Sequence, residues 1–163
     1  MKYTIITSCF VLMATGFLSC KKDCVCLPQH PGETPIPKPP LSKTQLLTKA
    51  SWKLVGKVYK FLSETEYKET YSFLRDCDKD NITNYLPDKT YTLTSGVLKC
   101  NVNEPAVLIT RKWEFIDDST RIRHADASPG VYWYSDVLEL TDSTLKLRDK
   151  NDVSIERVST YRH

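Results

Sequence analysis

The sequence lacks the short motifs that most often mark a catalytic site. It contains no Gly-x-Ser-x-Gly nucleophile elbow, no glycine-rich phosphate loop and no His-Glu-x-x-His metal motif. Acidic pairs such as Asp117 and Asp118 lie in turn-like stretches, where solvated carboxylates are ordinary, and their spacing selects no pair for glycoside hydrolysis. We therefore predict that the protein is not an enzyme, and we expect no cofactor and no metal ion.

A large excess of charge is also missing. The chain has 23 Lys and Arg residues against 20 Asp and Glu residues, which leaves a formal net charge of +3. Nucleic-acid binding draws its affinity from many neutralised phosphates and needs a stronger basic surface. We therefore predict that the protein has no nucleic-acid partner.

The N-terminal hydrophobic run is too short to span a bilayer, which takes about 20 residues. Residues 3–18 follow Lys2, in the order of a secretory signal. The tetrapeptide FLSC, which ends at Cys20, resembles the lipobox of bacterial lipoproteins, in which the cysteine receives diacylglycerol and an acyl chain such as palmitate. This resemblance implies a signal peptide over residues 1–19 and lipidation of Cys20, with a structural thiol at Cys20 as the alternative.

Lipidation of Cys20 would make the membrane a partner of this protein. Two or three acyl chains bind a bilayer far more firmly than one chain does. Lys21 stands where an aspartate retains some bacterial lipoproteins at the inner membrane. We therefore expect a location in the cell envelope, at the outer membrane, and both the periplasmic and the outer face stay open.

Residues 20–42 have the composition of a tether. Residues 27–42 contain six of the nine prolines in the chain, and such segments favour extended polyproline II structure. At about 3.1 Å per residue, this segment would hold a domain about 50 Å from the bilayer. Cys24 and Cys26 lie near His30, but no second pair follows at zinc spacing, so we predict a solvated or oxidised pair.

Residues 43–163 are predicted to form one β domain. Turn segments rich in Pro, Asp, Asn and Ser separate about eight stretches of strand character, and apolar and polar residues alternate in VLITRKWEF. Ser42 is expected to cap a short helix before the first strand. Consecutive strands with short links predict an antiparallel up-and-down barrel, and a β-sandwich is the alternative.

Five segments occur in order across residues 45–161: LLTKASWKL, DCDKDNITNYLPDKTYTL, GVLKC, KWEFIDDSTRIRH and LELTDSTLKL. Together they resemble the lipocalin-like domain of lipoproteins from Bacteroidota. The sequence departs from that pattern at Asp88-Lys89, where an Asp-Gly turn is usual, and before Trp52, where a glycine is usual. The resemblance implies a calycin-type barrel, and related barrels often hold a small apolar ligand.

Aromatic residues of the strands are the candidates for ligand binding. A ligand of the barrel mouth would contact Trp113, Trp133 or Tyr91, although inward aromatic rings also serve simply as core. An eight-stranded barrel either is filled by side chains or holds one molecule. Two functions therefore stay open. The first is a membrane-anchored lipoprotein that binds a small apolar or amphipathic ligand, and the second is a non-catalytic scaffold or accessory subunit of a cell-envelope complex.

Trp52 resembles the lipocalin tryptophan that closes one end of the barrel. In that family an arginine of the last strand often stacks on this tryptophan. The resemblance makes Arg157 the candidate for the stacking partner.

Cys77 and Cys100 are predicted to form a disulfide, because two cysteines in one exported domain usually pair. The alternative is a catalytic thiol. That thiol would need a histidine beside it, and His124 is the histidine in the middle of the domain.

Two turns resemble the O-glycosylation sequon of exported Bacteroidota proteins. One contains Ser119 and Thr120 after an aspartate, and the other contains Ser143 and Thr144 after an aspartate. Type I turns use the same residue types for local hydrogen bonding. Both interpretations stay open, and a glycan at either turn would cover a surface loop.

Overall fold

The computed structural model describes residues 39–150 and 154–163, all of which belong to one unit, Pro39–His163. The predicted signal peptide, Cys20, Cys24 and Cys26 lie outside the described residues. Within the described ranges, no helix has both the length and the apolar character needed to cross a membrane.

A short helix, α1 (Lys43–Thr48), precedes the first strand. Ser42 is its N-cap, as predicted: the Ser42 hydroxyl accepts a hydrogen bond from the Gln45 amide, and the Gln45 side chain accepts one from the Ser42 amide. This reciprocal capping box satisfies two amides that the helix leaves unpaired. Farther along lie a 3₁₀ turn, Tyr71–Phe73, and one turn of helix, α2 (Asp76–Lys79).

The described part of the chain forms one antiparallel sheet of nine strands. Alternating polar and apolar side chains, separated by turn residues, account for most of these strands. In chain order they are β1 (Trp52–Phe61), β2 (Lys68–Glu69), β3 (Ile82–Tyr85), β4 (Thr90–Thr94), β5 (Val107–Ile116), β6 (Arg121–Ala125), β7 (Tyr132–Leu140), β8 (Thr144–Asp149) and β9 (Ile155–Arg162).

The sheet closes on itself through β1 and β9. Strands β3 to β9 follow one another in order, and β1 pairs with β3 on one side and with β9 on the other. The β1–β9 ladder runs from Lys53 opposite Arg162 to Phe61 opposite Ile155. The eight strands β1 and β3 to β9 therefore form an up-and-down barrel, which confirms the predicted fold and excludes the sandwich, while β2 extends the free part of β1.

The tight turn between β3 and β4 shows how the chain replaces the expected Asp-Gly pair. Lys89 has φ of 67°, a left-handed conformation that favours glycine. The Asp88 carboxylate accepts hydrogen bonds from the Thr90 amide and hydroxyl, each at 2.9 Å, and holds the turn in shape. The fold thus tolerates lysine at this position.

Cross-strand register decides which side chains point into the barrel, because paired residues share a face and alternate residues of a strand share it too. Helix α1 packs against β3 and β7 at the end where β1 begins with Trp52, called the α1 end below. The opposite end, where β1 finishes at Phe61, is called the far end. The buried apolar cluster consists of Leu47, Trp52, Tyr85, Trp113, Ile122, Leu145 and Leu147.

Candidate functional site

The three aromatic residues predicted for ligand binding share one network inside the barrel, and His124 joins them. The His124 and Trp133 rings stack with centroids 5.0 Å apart and planes within 3° of parallel. The Tyr91 ring meets His124 edge-on at 5.1 Å. Tyr85 contacts both Tyr91 and Trp113, at 5.2 and 5.4 Å. These distances are those at which aromatic pairs attract one another.

The register of neighbouring strands produces this network. His124 of β6 lies opposite Trp113 of β5 on one side and opposite Trp133 of β7 on the other. On the adjoining part of the wall, Tyr85 lies opposite Tyr91. Since paired residues project to the same face, all five rings point inward.

The predicted ligand-binding residues occupy different environments within the network. Trp113 belongs to the buried cluster: its indole N–H donates to the Leu86 carbonyl at 3.2 Å, and the Lys89 ammonium lies 4.4 Å from the ring centroid. Trp133 is only partly buried and lines a pocket of about 480 Å³ at the rim of the far end. The other residues that line this pocket are Asp126, Val131, Tyr132, Tyr134 and Lys150.

His124 is a buried histidine with an unsatisfied ring nitrogen. Its residue surface is 2% exposed, and within the described residues its Nδ1 has no hydrogen-bond partner. Burial lowers the pKa of His124 to about 4, so the imidazole is neutral near pH 7. Residues alternate in burial along RIRHA, and His124 is two residues after the apolar Ile122. This alternation is the sequence signal that could have placed His124 inside the barrel.

Beside the aromatic network, a cluster of polar side chains lies on the inward face of β7, β8 and β9. The buried Ser135 hydroxyl donates to the Asp149 carboxylate at 2.5 Å, and Asp149 lies opposite both Ser135 and Arg157. Burial raises the pKa of Asp149, against the opposing effects of the Ser135 hydrogen bond and of the positive charges on Lys57 and Arg157. Burial also raises the pKa of Tyr91, and Asp149 adds to that effect, which links this polar cluster to the aromatic network.

Three cations face the interior: the sequence did not single out Lys57 and Arg111, and Arg157 was predicted to make a different contact. Lys57 lies opposite the buried Ser159, Arg157 lies opposite Asp149, and Arg111 lies opposite Tyr91. Within residues 39–150 and 154–163, none of the three cations forms an ion pair within 4.0 Å. The Arg111 Nε is buried and has no hydrogen-bond partner there.

The prediction that Arg157 stacks on Trp52 is wrong. Trp52 is fully buried at the α1 end, where its indole N–H donates to the Leu47 carbonyl at 2.9 Å and its ring meets His163 edge-on at 5.1 Å. Arg157 instead lies opposite Tyr59, seven residues farther along β1. At about 3.3 Å per residue, that places its backbone about 23 Å away along the strand.

Cys77 and Cys100 form a disulfide in the structure, as predicted, with their Cα atoms 5.2 Å apart. The bond ties α2 to the loop between β4 and β5. Asp80 supports the same junction, since its carboxylate accepts from the Leu98 amide at 2.9 Å and from Lys53 at 2.8 Å. Neither cysteine is then a free thiolate, so the alternative of a catalytic cysteine is excluded for this pair.

Both glycosylation candidates lie in turns beside the α1 end. Thr120 and Ser143 are exposed. The Ser119 carbonyl accepts from the Lys43 ammonium at 3.0 Å, and Lys49 forms an ion pair with Asp142 in the other turn. The two turns are therefore accessible, and glycosylation there stays a prediction.

The fold and the inward face together define a closed antiparallel barrel with an aromatic wall and a partly charged interior. Comparisons with protein-family models and with curated proteins found no match to the chain.

Proposed function

We propose that this protein is a membrane-anchored, lipocalin-like lipoprotein of the Bacteroidota type that binds a small apolar or amphipathic ligand and has no catalytic activity. The observation that carries the proposal is the pair of buried, unpartnered nitrogens on the inward face, His124 Nδ1 and Arg111 Nε. Buried polar atoms of a filled core nearly always have hydrogen-bond partners. Inward polar atoms without them favour an interior that receives a further molecule.

The aromatic side chains of the inward face favour a ligand that has an apolar portion. Trp133 and Tyr91 are only partly buried and both contact the His124 ring. Ligand sites in proteins combine mostly apolar linings with a few placed polar groups. Trp133 also lines the pocket at the far end, where a ligand could contact it from outside the barrel.

A ligand screen tests this function. Fatty acids, sterols, haem-like molecules and glycans are added to the protein while tryptophan fluorescence and the melting temperature are recorded. A ligand that contacts Trp133 should change the fluorescence and raise the melting temperature by mass action. The fluorescence response should disappear in Trp133→Phe, whereas the control Trp52→Phe, at the α1 end, should retain it.

The membrane anchor has its own test. We expect cells that express the chain to incorporate radioactive palmitate into the protein, and we expect Cys20→Ala to lose the label and to leave the membrane fraction. Cys24→Ala and Cys26→Ala are matched controls and should keep both. Equal labelling of the wild type and of Cys20→Ala would contradict the lipoprotein assignment, and recovery in the inner-membrane fraction would contradict the proposed outer-membrane location.

A second candidate is the scaffold function, in which an outer surface meets an envelope protein. Three large apolar side chains near the disulfide junction favour it: Phe73, Val97 and Val102 are 85%, 92% and 93% exposed. Each lies within four residues of Cys77 or Cys100 in the sequence, and exposed apolar patches often mark an interaction surface. A screen that shifts neither signal would support this candidate, and turnover abolished by one Asp or Glu substitution would contradict both.

A further inference from the structure

We propose that the ligand is an amphiphilic organic anion whose acid group is held by Lys57, Arg111 and Arg157 while its apolar body lies against Trp133 and Tyr91. This inference rests on the proposed function and names the chemical class of the ligand. It requires that the three cations face the interior, that no protein carboxylate already neutralises them, and that apolar surface lies beside them.

The register shows that the cations face inward. Lys57 is paired with Ser159, which is 4% exposed, and Ser159 is paired with the buried core residue Leu147. Arg157 is two residues before Ser159 and therefore shares its face. Arg111 is two residues before the buried Trp113 on β5 and shares that inward face in the same way.

The inward face carries more positive than negative charge. Among the inward positions of the described strands, Asp149 supplies the one carboxylate and Lys57, Arg111 and Arg157 supply three cations. The charges of Asp149 and, at Lys57, of Asp78 offset this excess only in part, because among the described residues no carboxylate lies within 4.0 Å of any of the three cations. Uncompensated charges in a partly desolvated interior are unfavourable, and an anionic ligand would remove that cost.

The outward cations of the same wall behave differently. Arg121 and Arg148 both bond to Asp136, at 2.9 and 2.8 Å, and Arg123 bonds to Glu114. Among the described residues, these three outward arginines of β6 and β8 pair with carboxylates, whereas the inward Lys57, Arg111 and Arg157 do not. This contrast indicates that the inner cations have a partner that is not part of the protein.

Guanidinium groups and aromatic rings lie side by side on this face, which defines the shape of the ligand. Arg111 is paired with Tyr91. The charge of Asp149 helps to raise the pKa of Tyr91, and the charges of Lys57 and Arg157 act to lower the pKa of Asp149. An arginine fork suits a carboxylate or sulfonate with two oxygens in one plane. The hydrocarbon or ring system attached to that acid group would then cover the stacked pair of His124 and Trp133.

Two fluorescent probes test the need for an acid group. 1-Anilinonaphthalene-8-sulfonate and N-phenyl-1-naphthylamine share one ring system, and only the first carries a sulfonate. With the full chain we expect the sulfonate probe to bind about tenfold more tightly or better, because hydrogen bonds to charged groups are the stronger kind. The advantage should shrink as salt is raised, since salt screens the attraction.

Substitutions then locate the acid group. Lys57→Met, Arg111→Met and Arg157→Met should each weaken the sulfonate probe about tenfold and leave the neutral probe unchanged. Arg157→Lys keeps the charge and should keep most of the affinity. Lys146→Met and Arg162→Met are matched controls, because these cations occupy outward positions on β8 and β9; neither should affect either probe.

The outcomes separate this inference from the proposed function. Equal affinity for the two probes, or equal losses in Arg157→Met and Arg157→Lys, would overturn the anionic ligand and leave an apolar ligand in place. A response to the sulfonate probe that survives Trp133→Phe and all three methionine variants would also overturn it. If neither probe binds, the proposed function itself fails.

Discussion

The two ends of the barrel use the same strands for different purposes. At the α1 end Leu47, Trp52 and Leu145 have no exposed surface, and the indole N–H of Trp52 is hydrogen-bonded. Toward the far end, the inward face carries Lys57 and Arg157, which have no ion-pair partner among the described residues. One end is therefore tightly packed and hydrogen-bonded, whereas the other leaves two inward cations without a carboxylate partner among the described residues.

The largest effect that this comparison predicts is the loss of Trp52. Trp52→Ala removes a fully buried side chain and should lower the free energy of unfolding by about 3–5 kcal/mol. Trp133→Ala should cost clearly less, because Trp133 is partly exposed on the rim pocket. Denaturant unfolding of both variants measures the difference. Equal losses would show that the two ends contribute alike to stability, and the contrast drawn above would fail.

The disulfide, which ties α2 to the loop between β4 and β5, provides the next effect. Cys77→Ser with Cys100→Ser should lower the free energy of unfolding by about 3 kcal/mol through loop closure entropy, without abolishing the fold. Comparison of oxidised wild type with the double variant in denaturant measures this. Mass spectrometry of unreduced digests should find Cys77 linked to Cys100. A link from either of them to Cys24 or Cys26 would contradict the pairing.

Much of the fold was predictable because its signals are local. Turn residues and alternating side chains predicted about eight strands, and Ser42 predicted the capped helix. Closure was harder, because the ladder between β1 and β9 joins residues about 100 positions apart, and no local pattern separates that ladder from a sandwich. The barrel was preferred on the ground that closure removes exposed edges.

The site was predicted only in part, because a bulge in β1 and the charge of Arg111 each conceal an inward residue. From Trp52 the alternation of β1 would place even-numbered residues inward, but the bulge between Leu54 and Gly56 reverses it and turns Lys57 into the barrel. Arg111 shares the alternation of Trp113, yet a charged residue in a half-buried strand is ordinarily assigned to solvent. Only the closed register identifies both residues as inward.

A smaller effect concerns pH and the aromatic network between the two ends. An ordinary histidine titrates near pH 6.5, whereas burial holds the pKa of His124 at about 4. Between these values the unfolded chain binds a proton at His124 that the folded barrel does not bind. The contribution of His124 to the free energy of unfolding is therefore complete above pH 6.5 and falls as the pH drops toward 4. The loss should reach about 2 kcal/mol between pH 7.5 and pH 5.

The His124→Phe variant isolates this contribution. Phenylalanine keeps a ring against Trp133 and cannot titrate, so the variant should lose less stability than the wild type between pH 7.5 and pH 5. The comparison is made between variants because Asp149 acts in the opposite sense: its raised pKa gives stability at low pH that is lost as the pH rises. Identical pH profiles for the wild type and His124→Phe would show that His124 is not held neutral.

The smallest predicted effect tests how the α1 end is closed. The Ser42 hydroxyl accepts from the Gln45 amide at 3.2 Å, and the helix that it caps carries Leu47, whose carbonyl accepts from the Trp52 indole. Ser42→Ala should lower the free energy of unfolding by about 1 kcal/mol. Ser42→Asp should retain most of the wild-type stability, because aspartate is also a good N-cap residue. Because Ser42 lies at the α1 end and Trp133 lies at the far end of the barrel, binding of either naphthyl probe should not change. A loss of probe binding in Ser42→Ala with wild-type stability would mean that α1 takes part in recognition, and the division between a stabilising end and a binding end would have to be abandoned.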